Sequence, residues 1–366
     1  MPSGNFLHQK LEERKAKNAF RSLRKTIEGA DFSSNDYLGV VTNNLLADAM
    51  PTGIARHGST GSRLLTGNST ATEETECFIA AFHNAQSALI FNSGYDANLG
   101  VLSCIGVKGD TILYDALSHA SIRDGIRLSN AGAHAFGHND VDDLIQKLQS
   151  ATGNIFVVTE SVFSMDGDKA PLAEIVKACR NKEAKLIVDE AHATGVEGGN
   201  GEGLIQAIQL ESDCFARIHT FGKAMGCHGA VVLGSHELRD YLINFSRPFL
   251  YTTALPETTI VACRVSYELL PRLQEERNRL KKLIRLWNTH RHQHCSNNDT
   301  AIQYLLVPGN NAVKELSQRL LMNGIDARPI LYPSVPEGKE RIRVVLHSFN
   351  TEEEVKKILE ISRFSS

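Results

Sequence analysis

The stretch KLIVDEAHATG, residues 185–195, sets a short apolar run directly before a carboxylate. Such a run, bounded by charge on both sides, reads as a buried strand with Asp189 at its carboxyl end. Working outward, the pattern recurs as SALIF (87–91), TILY (111–114), NIFVV (154–158) and GAVVLG (229–234), alternating with helix-like stretches from about residue 50 to 235. This alternation predicts an α/β fold with a largely parallel sheet covered by helices on both faces. Polar clusters follow the strands: Asn92 to Tyr95, Asp115 to His119, Glu160 to Gly167 and Asp189 to His192. In an open parallel sheet the ligand crevice lies outside the carboxyl ends of the strands, so these four segments are expected to converge.

On either side of this region the pattern changes. Leu11 to Lys25 is basic and amphipathic, and FSSNDYLGV (32–40) crowds turn-forming residues into a loop or short edge strand. A mitochondrial presequence would avoid acids, whereas Glu12 and Glu13 lie in this stretch, so an attached helical arm is expected. Beyond about 255, Tyr267 to Asn288 reads as a linking helix. QYLLV (303–307), AVKELSQRLLMNG (312–324), DARPI (326–330), RIRVVLH (341–347) and TEEEVKKILEIS (351–362) then predict a small α+β lobe, with Thr351 and Glu354 as a capping box. The expected organisation is an arm over 1–49, a large α/β domain over 50–255, and a linking helix with a small α+β domain over 256–366.

A chain of 366 residues is long enough for two lobes. Its net charge of −3 supplies no field for gripping nucleic acid. No apolar run approaches the ~20 residues that a membrane helix needs. The seven cysteines are scattered without a C-x-x-C pair and read as reduced thiols of a cytoplasmic protein. His290, His292, His294 and Cys295 lie close together, but no second ligand cluster accompanies them, so a polar loop rather than a metal site is expected.

Four segments carry chemistry. Asp189 at a strand end suits a catalytic carboxylate, and equally a helix cap. The DEAH tetrapeptide would suit a helicase, but no GKS or GKT of a phosphate loop occurs. Lys223, thirty-four residues on, lies in the Gly-flanked turn TFGKAMG between apolar strands. Desolvation there favours the free amine needed for Schiff-base chemistry; the alternative is a surface loop lysine. In NSGYDANLG (92–100) a helix should start at a glycine, which gives backbone N–H groups for an anion; Ser164 and Thr220 could add hydroxyls, and each could equally be a cap or turn residue. His119, in LSHAS, opens a helix just after a strand.

Taken in order, FSSNDYLG, HGSTGSRLLTGN, NSGYDANLG, DALSHAS, FGHND, TESVFSMDGD, IVDEAHATG, TFGKAMG and YTTALP resemble the α-oxoamine synthases over about residues 5 to 360. The resemblance implies a fold-type I, aspartate aminotransferase-like pyridoxal 5'-phosphate enzyme and a homodimer. It implies that Lys223 is the Schiff-base lysine, that Asp189 pairs with the pyridine nitrogen, and that His192 pairs with the ring hydroxyl. Gly94, Tyr95, Ser164 and Thr220 match cofactor contacts, and His119 matches the histidine that stacks on the ring and reaches the substrate carbonyl. Asn35, Arg21 and Arg343 match substrate positions, Arg343 for the amino-acid carboxylate, with Arg341 as its rival, and Arg21 for the far end of the acyl chain.

The implied reaction is decarboxylating condensation of an amino acid, L-alanine in the branch most resembled, with an acyl thioester of coenzyme A or acyl carrier protein. Glycine C-acetyltransferase and serine palmitoyltransferase share every cofactor residue named. An aminotransferase would use the same lysine and aspartate, but it lacks support from LSHAS and SMDGD. Thr252 or Thr253 is expected to reach the other subunit's phosphate. The chain departs from the family pattern at Thr72, where a histidine is frequent, and at Cys227-His228, where smaller residues are usual; both put fine substrate selection in doubt.

Overall fold

The computed structural model describes residues 5–23, 29–53 and 57–363. It divides into two compact units, one of Leu38–Ser164 with Asp168–Arg277, the other of Met1–Tyr37, Met165–Gly167 and Asn278–Ser366.

The larger unit holds a seven-stranded sheet. From edge to edge its strands are Ser87–Phe91, Ala230–Gly234, Cys214–Thr220, Lys185–Asp189, Ile155–Glu160, Thr111–Asp115 and Gly132–Phe136. Five neighbouring strands run parallel, while Ala230–Gly234 runs antiparallel to both its neighbours. The edge strand Gly132–Phe136 escapes sequence reading because GAHAF has no β-branched residue and exposes all but Phe136.

Alternation along the strands builds two cores. Phe156, Val158, Ile187 and Ile218 enter a cluster with Ala97, Val101 and Leu102 of the helix Gly94–Ile105. Leu113, Val157, Leu186 and Val188 enter the opposite cluster, with Leu144, Leu172 and Ile175. Each such side chain contributes roughly 1.5–3 kcal/mol on burial. Because side chains repeat every second residue, Glu160, Asp189 and Thr220, two residues beyond Val158, Ile187 and Ile218, must share the face that the helix Gly94–Ile105 covers. The core thereby decides which way the acid points.

The expected helix from Tyr267 to Asn288 is broken. Helices run over Glu257–Leu269 and Gln274–His290, with a 3-10 turn at Leu270–Arg272 between them. Pro271 explains the break: it has no N–H to continue the ladder, and its ring clashes with the preceding turn.

In the smaller unit, Arg341–Val345 is the middle strand of an antiparallel sheet, flanked by Arg328–Ile330 and Ile302–Leu306, and helices span Asn310–Met322 and Glu352–Arg363. The capping box forms: Thr351 N–H donates to Glu354 at 2.8 Å and Glu354 N–H to Thr351 Oγ1 at 3.2 Å. FSSNDYLG follows the short strand Ala30–Asp31, and Asp31 Oδ1 accepts from the N–H groups of Ser33 and Ser34, which turns the chain. The arm helix spans Phe6–Ala16, ahead of the expected stretch, and Asn18 leaves it with a positive φ of 49°. Arg24 and Lys25 of that stretch lie outside the described residues.

Candidate active site

Asp189 ends its strand buried, 6% exposed. One carboxylate oxygen accepts from Ala191 N–H at 2.8 Å, so it does cap the following turn; the other accepts from Asn98 Nδ2 at 2.6 Å. Asn98 lies one helical turn beyond Gly94, on the side that meets the sheet. The same Nδ2 reaches Ser121 Oγ at 3.1 Å, and Ser121 Oγ lies 2.8 Å from His119 Nδ1. A continuous chain of polar contacts therefore joins His119 to Asp189.

Lys223 sits in a loop closed on itself, Cys227 N–H donating to Phe221 O and Phe221 N–H to Gly229 O, each at 2.9 Å. Its Nζ lies 2.8 Å from His192 Nε2. His119 carries a lowered pKa, chiefly from burial, with Asp189 raising it and Lys223 lowering it. His192 follows Asp189 on the turn that the Ala191 amide closes and itself meets Lys223, which brings amine and acid into one neighbourhood. Glu160 completes the group. It is 3% exposed, lies directly opposite Asp189 in the ladder, and accepts from His119 N–H at 2.6 Å. Burial, then the Asp189 charge, pushes its pKa up to about 8.

At the start of the helix Gly94–Ile105, Ser93 Oγ accepts from Asp96 N–H at 3.0 Å. The N–H groups of Gly94 and Tyr95 at this helix start lack intrahelical acceptors and are free to bind an anion. A Cβ on Gly94 would lie 3.2 Å from Thr220 Oγ1, so the bare Cα keeps this cradle open beside a hydroxyl. Tyr95 is half-exposed and its hydroxyl donates to Asp124 at 2.5 Å. Ser164 stands in the loop after Val162, whose backbone bridges Lys169. Asn92 donates to Thr252 Oγ1 at 3.0 Å and to Thr253 O at 2.9 Å.

In the smaller unit, Arg341 and Arg343 alternate along one strand and differ in what they meet. Arg341 is buried, pairs with Asp166, and lies 4.7 Å over the Tyr304 ring. Arg343 is partly exposed and donates to Asn35 Oδ1 at 3.2 Å, an oxygen that also accepts from the Tyr37 hydroxyl. Arg21 is exposed and donates to Ser334 Oγ at 2.6 Å.

Sequence reasoning missed Asn98, Ser121 and Glu160. The available signal was parity: Asn98 interrupts the apolar face of its helix, and Glu160 matches Asp189 in strand position. It also left the second acid of DEAH without a use. Glu190 is fully buried and accepts from the N–H groups of Leu204 and Ile205 at 2.8 and 3.0 Å, a helix-capping role. Thr72 is buried within its own helix cap, against Ser69 Oγ at 2.9 Å, and Cys227 Sγ lies 3.9 Å from Cys263 Sγ. His292 of the histidine cluster bonds Ser362 at 2.8 Å, and Cys295 joins the small sheet opposite Leu305.

A parallel sheet with a lysine amine, an aspartate and an anion cradle at its strand ends is the frame of a fold-type I pyridoxal-phosphate transferase. Comparison agrees. The family model for aminotransferase class I and II matches residues 27–361. An 8-amino-7-oxononanoate synthase of Emericella nidulans is 42% identical over 362 residues, covering 90% of this chain and 87% of that one. Among solved structures, 8-amino-7-oxononanoate synthase from Francisella tularensis has a TM-score of 0.79 at 32% identity, covering 91% of this chain and 96% of that one. Serine palmitoyltransferase from S. paucimobilis, with bound pyridoxal phosphate and myriocin, has a TM-score of 0.87 at 26% identity, covering 99% and 96%. The chain belongs to the α-oxoamine synthases within the class I and II aminotransferase family. It is a pyridoxal-phosphate-dependent acyltransferase.

Proposed function

We propose that this enzyme joins L-alanine to a pimeloyl thioester with loss of carbon dioxide, giving 8-amino-7-oxononanoate for biotin biosynthesis. Two supports meet here: relatives named for that product, and the line of contacts from His119 through Ser121 and Asn98 to Asp189. The first carries the choice of L-alanine and a pimeloyl thioester; the second supports acyl transfer over amino transfer, because it holds a histidine beside the acid that an aminotransferase would not need for an acyl carbonyl.

The residues present fit the cofactor. Lys223 would hold its aldehyde carbon, Asp189 its ring nitrogen, and the Gly94–Tyr95 amides with Thr220 and Ser164 its phosphate and neighbouring groups. When bound, pyridoxal phosphate supplies an electron sink for negative charge at the α-carbon of the amino acid. Asp189, oriented by Asn98 and the Ala191 amide, would hold the ring nitrogen. His192, beside Lys223, orients the amine and shares its proton.

Lys223, as a free amine, would remove the α-proton of L-alanine as a general base. The α-carbon attacks the thioester carbonyl, and the carbon–sulfur bond breaks to release the thiol. The ring of His119 donates to the carbonyl oxygen as charge collects there. The alanine carboxylate, held by the forked guanidinium of Arg343, departs as carbon dioxide, and a proton returns to the α-carbon. Arg21 is assigned to the distal carboxylate of the acyl chain. We further assign the enzyme to the cytoplasm as a homodimer, with Thr252 or Thr253 directed to the partner's phosphate.

The deciding assay incubates the holoenzyme with L-alanine or glycine and a series of acyl thioesters on coenzyme A and on acyl carrier protein, following free thiol and carbon dioxide. Equal release of both with L-alanine and pimeloyl thioester is expected. Thiol without carbon dioxide would defeat the condensation, and preference for glycine with an acetyl thioester would move the assignment to glycine C-acetyltransferase.

A further inference from the structure

The motif FGHND, residues 136–140, has no part in the reaction as assigned, yet His138 stands between two carboxylates. Its Nδ1 lies 2.9 Å from Asp115 Oδ1 and its Nε2 lies 2.7 Å from Asp168 Oδ2. An ionised carboxylate can only accept a hydrogen bond, so both ring nitrogens must carry hydrogen and the ring is an imidazolium. The Phe163 ring meets it at right angles, with centroids 4.5 Å apart.

The two acids anchor different loops. Asp115, fully buried, ends the strand Thr111–Asp115, and its oxygens also accept from Leu117 N–H at 2.8 Å and Asn139 N–H at 2.9 Å. That turn leads directly to His119. Asp168 closes the loop that contains Ser164, and its Oδ2 also accepts from Asn139 Nδ2 at 2.7 Å. Other charged groups nearby are engaged elsewhere: Asp140 with the Asp143 amide, Asp143 with Lys147 and the Gly137 amide, Glu160 with the His119 amide, and Lys169 with Glu197.

We propose that His138, as a cation, is a positioning residue of the active site, bridging Asp115 and Asp168 so that the loops bearing His119 and Ser164 meet the cofactor in fixed register. The positioning part rests on the roles assigned above to His119 and Ser164; the charge on His138 does not. Burial opposes that charge, but the hydrogen bonds to Asp115 and Asp168 outweigh it and raise the ring's pKa to about 10. Folding thus favours the proton: the ring stays charged in the folded protein until pH approaches about 10, and the stability the bridge brings is present in full below the ordinary histidine value of 6.5 and lost as pH rises through about 10.

The first test reads the ring itself, by nitrogen NMR of the full-length protein labelled in histidine, with the His138 signals assigned from their loss in His138→Gln. Protonation of both nitrogens at about pH 7 to 8 is expected; a neutral ring there would overturn the proposal. The second test measures pyridoxal-phosphate affinity of the apoprotein by fluorescence against pH. His138→Gln should weaken binding roughly ten- to hundredfold, as for a lost charge-assisted hydrogen bond. Asp168→Asn should move the alkaline fall in affinity to lower pH, a change that a merely structural contact would not produce. Unchanged affinity in His138→Gln, or an unmoved profile in Asp168→Asn, would defeat the positioning role. If the condensation assay were to displace the assigned reaction, the NMR result would still stand alone.

Discussion

Asn98 Nδ2 and Asp189 Oδ2 lie 2.6 Å apart, both buried, and the same amide nitrogen reaches Ser121 Oγ at 3.1 Å. One amide thus orients the acid on one side and the His119 network on the other. In Asn98→Ala the carboxylate loses its side-chain donor while the fold keeps its helix. We expect kcat to fall about tenfold or more with KM for the acyl thioester little changed, since the lost contact acts on charge developing in the reaction. Steady-state kinetics would check this, and equal changes in both constants would contradict it.

Lys223→Ala removes the amine 2.8 Å from His192. The purified variant should lack the visible absorption band of lysine-bound cofactor, and turnover should fall at least about 10²–10⁴-fold, the usual contribution of a positioned base. Absorption spectroscopy and the thiol assay on one preparation measure both.

Glu160 offers a pH test. Its buried carboxyl has a pKa of about 8 in the fold against an ordinary 4.5, burial being the main cause and Asp189 the next. Folding therefore favours the protonated form, and the stability it brings is present below about 4.5 and lost as pH rises through about 8. Glu160→Gln keeps an oxygen to accept from His119 N–H and cannot ionise. The apoprotein variant should gain Tm relative to the wild type as pH rises across that window, with little difference at its acid end. Thermal melts at several pH values read this, and a constant difference would refute the linkage.

Gly94→Ala would put a Cβ at 3.2 Å from Thr220 Oγ1, tighter than ordinary packing. Alanine suits a helix start otherwise, so stability should hold while the anion cradle narrows. Pyridoxal-phosphate affinity should drop about tenfold, and pyridoxal without its phosphate should lose less. Titrations with both compounds would separate a phosphate effect from general damage.

Thr351→Ala removes the hydroxyl that accepts from Glu354 N–H in the last helix. The expected loss is about 1 kcal/mol in denaturant melts, without change in cofactor affinity.

What the amino-acid sequence determined by itself was local and periodic. Apolar runs such as KLIV ending at Asp189, and the glycine at the start of NSGYDANLG, dictate strands and a helix start through burial and backbone freedom. Parity along the strands also contained the direction of Asp189, Glu160 and Thr220, although it could be read only once the two core faces were known. The exposed edge strand Gly132–Phe136 was invisible because it has no β-branched residue and buries only Phe136. The helix break at Pro271 was legible and misread, because the charged amphipathic pattern continues across it.

Tertiary structure alone decided the partners. Asn98 and Asp189 are 91 residues apart, and Arg341 is buried against Asp166 and Tyr304 while Arg343, partly exposed, meets Asn35. Such pairings depend on which elements pack together, and a burial pattern repeating along one element carries no information about that. A residue's type and period record what it must bury; only the packed chain specifies which distant polar group compensates it.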